Sequence, residues 1–229
     1  MSLTELSVNF FVALFALIDP IGNVALFAAA TAGATTAGRR LTAAYLALFS
    51  LVFLAFFFVT GLSLLRFFGI GLAAFRIAGG VLLFLLGLDM ARGDLATTMA
   101  DAAGDTSGLS AAAYARLRFE RLVVPFAVPL LVGPGAISTA VIYAGDAGRM
   151  GLTGEAAGLA VIAAVSVSIL ASFWFAGLIT RALGRIGTII VIRVLGLILC
   201  AMAVQFMLAG FADSTVGLMR ASAAAPYPH

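Results

Sequence analysis

Charge is scarce in this chain of 229 residues: 10% of positions carry it, and all 13 basic residues are arginine, without a single lysine. Cysteine occurs once, at Cys200, tryptophan once, at Trp174, and histidine once, at His229. Each shortage excludes a class of chemistry. One cysteine cannot close an internal disulfide or act as the dithiol of a redox carrier, and Cys200 sits inside an apolar run where a thiol packs as a small hydrophobe. One histidine at the C-terminal end leaves no paired imidazoles for an intramembrane metalloprotease, and no serine has a base placed to activate it. No metal site, cofactor or enzymatic activity is expected. The net charge of +3 lies in the loops and implies no nucleic-acid partner in so apolar a chain.

What the chain has instead is hydrophobicity. Apolar residues fill 63% of positions and the mean hydropathy is +1.18, far above soluble domains. The apolar runs are about 20 residues long and lack strand-like alternation, and backbone groups in hydrocarbon need partners within their own segment. The expected fold is therefore all-α, a polytopic membrane helix bundle in the lipid bilayer. Six spans are predicted, at residues 8–32, 41–65, 69–91, 122–145, 155–180 and 186–211. No arginine precedes Arg39, so the first run lacks the basic start of a cleavable signal and is expected to stay as a span.

Arginine distribution sets the expected orientation. Arg39, Arg40, Arg92, Arg116, Arg118, Arg121, Arg181 and Arg185 fall in one set of loops, against Arg66, Arg149 and Arg220 in the other. By the positive-inside rule both termini lie outside. The stretch Arg116, Arg118, Glu120 and Arg121 reads as a solvated, orientation-setting approach to the fourth span. Trp174 reads as packing.

Two arginines, Arg76 and Arg193, lie inside apolar runs in similar surroundings, 117 residues apart, and two prolines, Pro20 and Pro134, recur 114 apart. The near-equal offsets read as a duplicated three-helix unit. Residues 1–92 form the first repeat, 93–120 a cytoplasmic linker, 121–211 the second repeat and 212–229 a flexible tail, all within one integral membrane domain. Three spans per unit is an odd number, so the copies enter the membrane from opposite sides: a 3+3 inverted repeat.

Each repeat opens on an interrupted span. Asp19-Pro20-Ile21-Gly22-Asn23 places a carboxylate and a helix breaker at mid-membrane, and Val132-Gly133-Pro134-Gly135-Ala136 repeats the interruption in the second half. The first and fourth spans are therefore predicted to be broken. Asp19 reads as an N-cap accepting from the amides of Ile21 and Gly22, with a second half-helix starting near Asp19 itself. Gly133 supplies no side-chain oxygen, so the amides of Gly135 and Ala136 lack a built-in cap. Both half-helix N-termini point at the midplane with about half a positive charge each. The expected site follows: the amides of Gly135 and Ala136, with Ser138 or Thr139, hold an anionic group, and Asp19 and Asn23 face a cationic one. Arg76 and Arg193 read equally well as substrate contacts or as structural anchors, with Asp19 offsetting one of them. Gly79, Gly80 and Gly196 read as close helix contacts, and Asp89 and Gln205 as residues near a membrane face. Asp19 is the candidate for coupling to H+, and carbonyls around Gly22 or Gly133 are candidates for Na+.

Four motifs carry a resemblance to a known family. Phe15-Ala16-Leu17-Ile18-Asp19-Pro20-Ile21-Gly22-Asn23, Phe75-Arg76-Ile77-Ala78-Gly79-Gly80 with Leu88-Asp89-Met90, Pro129 through Thr139, and Arg193-Val194-Leu195-Gly196 through Gln205-Phe206 resemble the MarC family over nearly the whole chain. The resemblance implies a six-span protein of the bacterial or archaeal inner membrane, grouped with small neutral amino acid transporters such as SnatA and more distantly with LysE-type exporters. It implies a carrier of alanine or glycine; ion coupling is expected from Asp19 and the carbonyls named above, and the chain is compatible with a homo-oligomer. A channel or facilitator for a small polar solute, or an exporter of another small metabolite, stands as the alternative. The chain departs from the family pattern at Ala25 and Val132, which bear on pocket shape rather than charge.

Overall fold

The structure, a computed structural model, describes residues 2–31, 33–93 and 109–215. Every regular element among the described residues is a helix, with no strand. Helix α1, Leu3–Ile18, starts at a capping box in which the Ser2 amide donates to Glu5 Oε2 at 2.7 Å and the Glu5 amide to Ser2 Oγ at 3.2 Å. Then follow α2, Val24–Ala30, α3, Thr36–Phe67, and α4, Leu72–Arg92. After the segment 94–108 come α5, Ala111–Leu122, and a π-helical stretch, Val123–Leu131. The bundle closes with α6, Pro134–Gly148, α7, Leu152–Trp174, and α8, Ala176–Ser214, which bends at Gly184 where φ is 64°.

Four helical stretches are long and apolar enough to cross a membrane: Thr36–Phe67, Leu72–Arg92, Leu152–Leu178 and Ile186–Ser214. They correspond to the second, third, fifth and sixth expected spans. The first and fourth expected spans fall on interrupted helices, α1 with α2 and the π-helical stretch with α6. The π geometry has a local cause. Pro125 and Pro129 have no amide hydrogen, so the turn widens and Val132 N donates five residues back to Ala127 O at 2.9 Å.

Several expectations need correction. The second half-helix begins at Val24, not near Asp19, because Asp19 closes α1 instead of opening α2. Helical structure before the second break starts at Ala111, inside the expected linker, of which 94–108 lie outside the described residues. The expected flexible tail starts too early: 212–214 still belong to α8, and the tail beyond 215 lies outside the described residues.

Packing follows from small residues and buried stripes. In α1, Leu6, Phe10, Leu14 and Ile18 recur every four residues and are fully buried. Nearly all of α2 is buried, with Phe27 stacked on Phe173 at 4.4 Å. Helices α4 and α8 lie in close backbone contact, as expected of membrane helices that meet at small residues. A Cβ on Gly87 would stand 2.8 Å from Gly196 O, and one on Gly196 would stand 2.5 Å from Ala91 N. Cys200 fills the same seam, its thiol directed at Phe84 O at 3.6 Å, in keeping with its reading as packing.

Candidate functional site

The first break is built by Asp19. It is the only non-glycine residue with positive φ among the described residues, φ 43° and ψ 64°, a left-handed cap that stops α1. Its amide donates to Phe15 O at 2.9 Å, which completes α1. Its carboxylate turns forward and accepts from the Gly22 amide at 3.0 Å, one of the two bonds expected of it. Gly22 makes room: a Cβ there would stand 2.0 Å from Asp19 Oδ2 and 2.7 Å from Leu195 Cδ2. Asn23 then stitches the halves together. Its amide donates to Asp19 O at 3.1 Å and its side-chain nitrogen to Ile18 O at 2.7 Å, satisfying a carbonyl that the end of α1 leaves open. The break is thus hydrogen-bonded internally, which lipid requires.

Pro20 and Asn23 are buried and Asp19 half-buried. Asp19 and Asn23 line a small cavity whose other walls are Leu17, Met90, Leu130, Leu195, Ile198, Leu199 and Met202. Its volume of about 20 Å³ holds a water molecule and no organic solute. Among the described residues Asp19 has no ion pair, so neither arginine offsets it as expected.

The second break is capped differently. Gly133 precedes α6 in extended conformation without a side-chain hydrogen bond, and Pro134 occupies the first helical position, where its missing amide hydrogen costs nothing. The Gly135 and Ala136 amides therefore have no side-chain cap, as expected. Gly133, Gly135, Ala136, Ser138 and Thr139 are all buried. Ser138 Oγ is buried without a hydrogen-bond partner, an anomaly for an interior hydroxyl. Pro134 packs on Gly79, where a Cβ would stand 2.4 Å from the ring.

The two breaks meet through Gly135. A Cβ on it would lie 3.3 Å from Leu83 Cδ1, 3.6 Å from Phe206 Cζ and 3.7 Å from Leu17 Cδ2. Leu17 also lines the Asp19 cavity, while Phe206 lines a larger cavity of about 420 Å³ beside Thr139. The start of α6 therefore stands in an apolar wall between two cavities.

The arginines go elsewhere. Arg76 lines the larger cavity and pairs with Asp213 on α8. That partner lay in the expected tail and was invisible to sequence reading, since nothing local links residues 137 apart. Arg193 is exposed and lines neither cavity; its guanidinium lies 3.4 Å from the Cβ position of Gly93, at the C-terminal cap of α4. Tyr143 and Asp146 also line the larger cavity. Their spacing from Thr139, four and seven residues along one helix face, was the signal that could have found them.

Arg118 departs furthest from expectation. It is buried, not solvated, and donates to Ala30 O at the end of α2. Arg39 Nη2 donates to the neighbouring Thr31 O at 3.5 Å. Two guanidinium groups thus sit where the α2 dipole is negative. Burial pulls the Arg118 guanidinium below the usual arginine range, and the group remains a cation at neutral pH. Trp174 does more than pack, since Arg40 lies 4.6 Å above its ring.

Known proteins place the chain. Residues 4–215 match the model described as MarC family integral membrane protein. A UPF0056 membrane protein of Pyrococcus abyssi is 33% identical over 87% of this chain and 91% of its own length. One of Methanocaldococcus jannaschii is 34% identical over 87% and 93%, and YhcE of Escherichia coli, another UPF0056 membrane protein, 30% over 92% and 94%. No solved structure matches. With its broken helices, its apolar bundle and this match along nearly its whole described length, the chain belongs to the MarC family of integral membrane proteins.

Proposed function

We propose that this protein is a secondary carrier of small neutral amino acids, alanine or glycine first, across the inner membrane of a bacterium or archaeon. In this reading α1 with α2, and the π-helical stretch with α6, each make one broken span. The six spans then form a 3+3 inverted repeat with both termini outside. Binding and movement of solute are its activity rather than catalysis, and Asp19 couples them to H+ or Na+.

The observation that carries the reading is the convergence at Gly135. Two interrupted helices from the two halves bring an uncapped helix start, a buried hydroxyl with no partner at Ser138, and the Leu17 turn that leads to Asp19 against one wall. Broken helices meeting in this way are the common construction of substrate sites in secondary transporters. A carboxylate suits the free amides and hydroxyl, and an ammonium suits Asp19 and Asn23, which together describe an α-amino acid.

The closed wall also favours a carrier over a channel. The cavity of about 20 Å³ at Asp19, too small for a solute, is separated by Leu17, Leu83 and Phe206 from one of about 420 Å³, so a vestibule ends at a closed gate and no continuous pore runs through the described residues. The test is counterflow in proteoliposomes. Preloaded unlabelled alanine should accelerate uptake of labelled alanine, and uptake should saturate. Linear flux without trans-acceleration would establish the channel, and flux equal to that of empty vesicles would remove transport altogether.

A further inference from the structure

The larger cavity contains chemistry that the Asp19 site does not use. Thr139, Ile142, Tyr143 and Asp146 form one stripe of α6, at the three- and four-residue spacing of a helix face. Opposite them, Gln205 and Ala209 on α8 continue one turn on to Asp213, and Arg76 of α4 reaches that carboxylate. Ala13 of α1 completes the lining. Tyr143 is held flat against Phe10, with ring centroids 4.7 Å apart, so its position is fixed by the core.

Two ion pairs frame this cavity, and each has one inner and one outer member. Arg76 lines the cavity and is 20% exposed, while its partner Asp213 is 50% exposed. Asp146 lines the cavity and is 39% exposed, while its partner Arg149, 3.6 Å away, is 83% exposed. The inner members have opposite charge, and the four groups sum to zero. Such a frame repels no neutral zwitterion and gives no net attraction to a simple anion or cation. Each inner charge can exchange its more exposed partner for a ligand group of the same sign, because ion pairs with a solvent-exposed member are weakly held. The volume of about 420 Å³ lies within the range of about 300–1,000 Å³ typical of small-molecule sites.

We propose that this vestibule is a second recognition site, where the zwitterionic end of an α-amino acid is selected before the wall at Gly135 opens: Arg76 takes the carboxylate and Asp146 the ammonium. The proposal rests on the carrier reading and names its first contact. It assigns selection against simple anions to Asp146 and against simple cations to Arg76, with Tyr143 and Gln205 bordering the ligand side chain.

The test uses the full chain in proteoliposomes and labelled alanine presented from the vestibule side, with equilibrium binding to the purified protein measured in parallel. Asp146→Asn should raise the half-saturation concentration about tenfold and weaken equilibrium binding of alanine by the same factor, the loss of one charge-assisted contact. In the wild type, propionate and alaninamide, each lacking one of the two charges, should compete about tenfold or more less well than unlabelled glycine. Unchanged half-saturation in Asp146→Asn while the wild type transports alanine would overturn the vestibule and leave the carrier standing. A wild type that binds alanine with the predicted dependence on Asp146 but does not move it would remove the carrier and leave the site. Absence of both binding and uptake removes both.

Discussion

The guanidinium of Arg118 on α5 donates to the carbonyl of Ala30 at the end of α2, a bond across 88 residues that ties α5 to the short helix after the first break. Helix α2 is only 7 residues long and has no side-chain cap at its start, so it depends on its neighbours for stability. Arg118 and Arg39 close its C-terminal end and the apolar core, including Phe173 against Phe27, closes its sides. The half-helix that follows Asp19 is thereby held from the end remote from the site.

Arg118→Met keeps much of the apolar stem and removes the donor. The Ala30 carbonyl is then buried without this partner, which costs about 1–3 kcal/mol. The expected outcome is a lower midpoint of thermal unfolding in detergent with unchanged membrane insertion. An unaltered midpoint would show that α2 is secured by packing alone.

Asp19→Asn preserves the shape of the side chain and its oxygen acceptor for the Gly22 amide at 3.0 Å, but removes the charge. If the charge couples transport, gradient-driven alanine uptake should fall about tenfold or more while the amount of folded protein in the membrane stays constant. Wild-type coupled uptake in this variant would end the central role given to Asp19.

Gly22→Ala tests position rather than charge. The new methyl would occupy the place of Asp19 Oδ2, 2.0 Å away, and meet Leu195 Cδ2 at 2.7 Å. The carboxylate must swing out and the turn must shift, an overpacking cost of about 1–3 kcal/mol. The expected result is loss of uptake with an intact α4–α8 pair, checked by transport alongside circular dichroism. Normal uptake would mean that the carboxylate geometry seen here does not matter for activity.

How much of this was legible beforehand can be judged from the breaks themselves. Asp19-Pro20 and Gly133-Pro134 interrupt their helices where the sequence says they should, because a missing amide hydrogen and a short polar side chain act within one turn of backbone. The uncapped start of α6 and the close contact at Gly196 were readable for the same local reason. The register of the first break was not: whether Asp19 ends one helix or begins the next turns on a left-handed φ and on Asn23 bonding back to Ile18. Those choices depend on what packs against the turn, here Leu195 from the far end of the chain.

By itself, then, the sequence determined an all-helical chain rich in long apolar segments, the two places where its helices break, and the family to which it belongs. Tertiary structure alone decided that Arg76 answers to Asp213, that Arg118 turns inward to Ala30, and that Thr139, Tyr143 and Asp146 share a cavity with Arg76. The physical reason is the solvent. Helices that face lipid on one side and protein on the other are apolar all round, so periodicity no longer tells which face turns inward, and only the packed bundle sets the rotation that brings one charge to another.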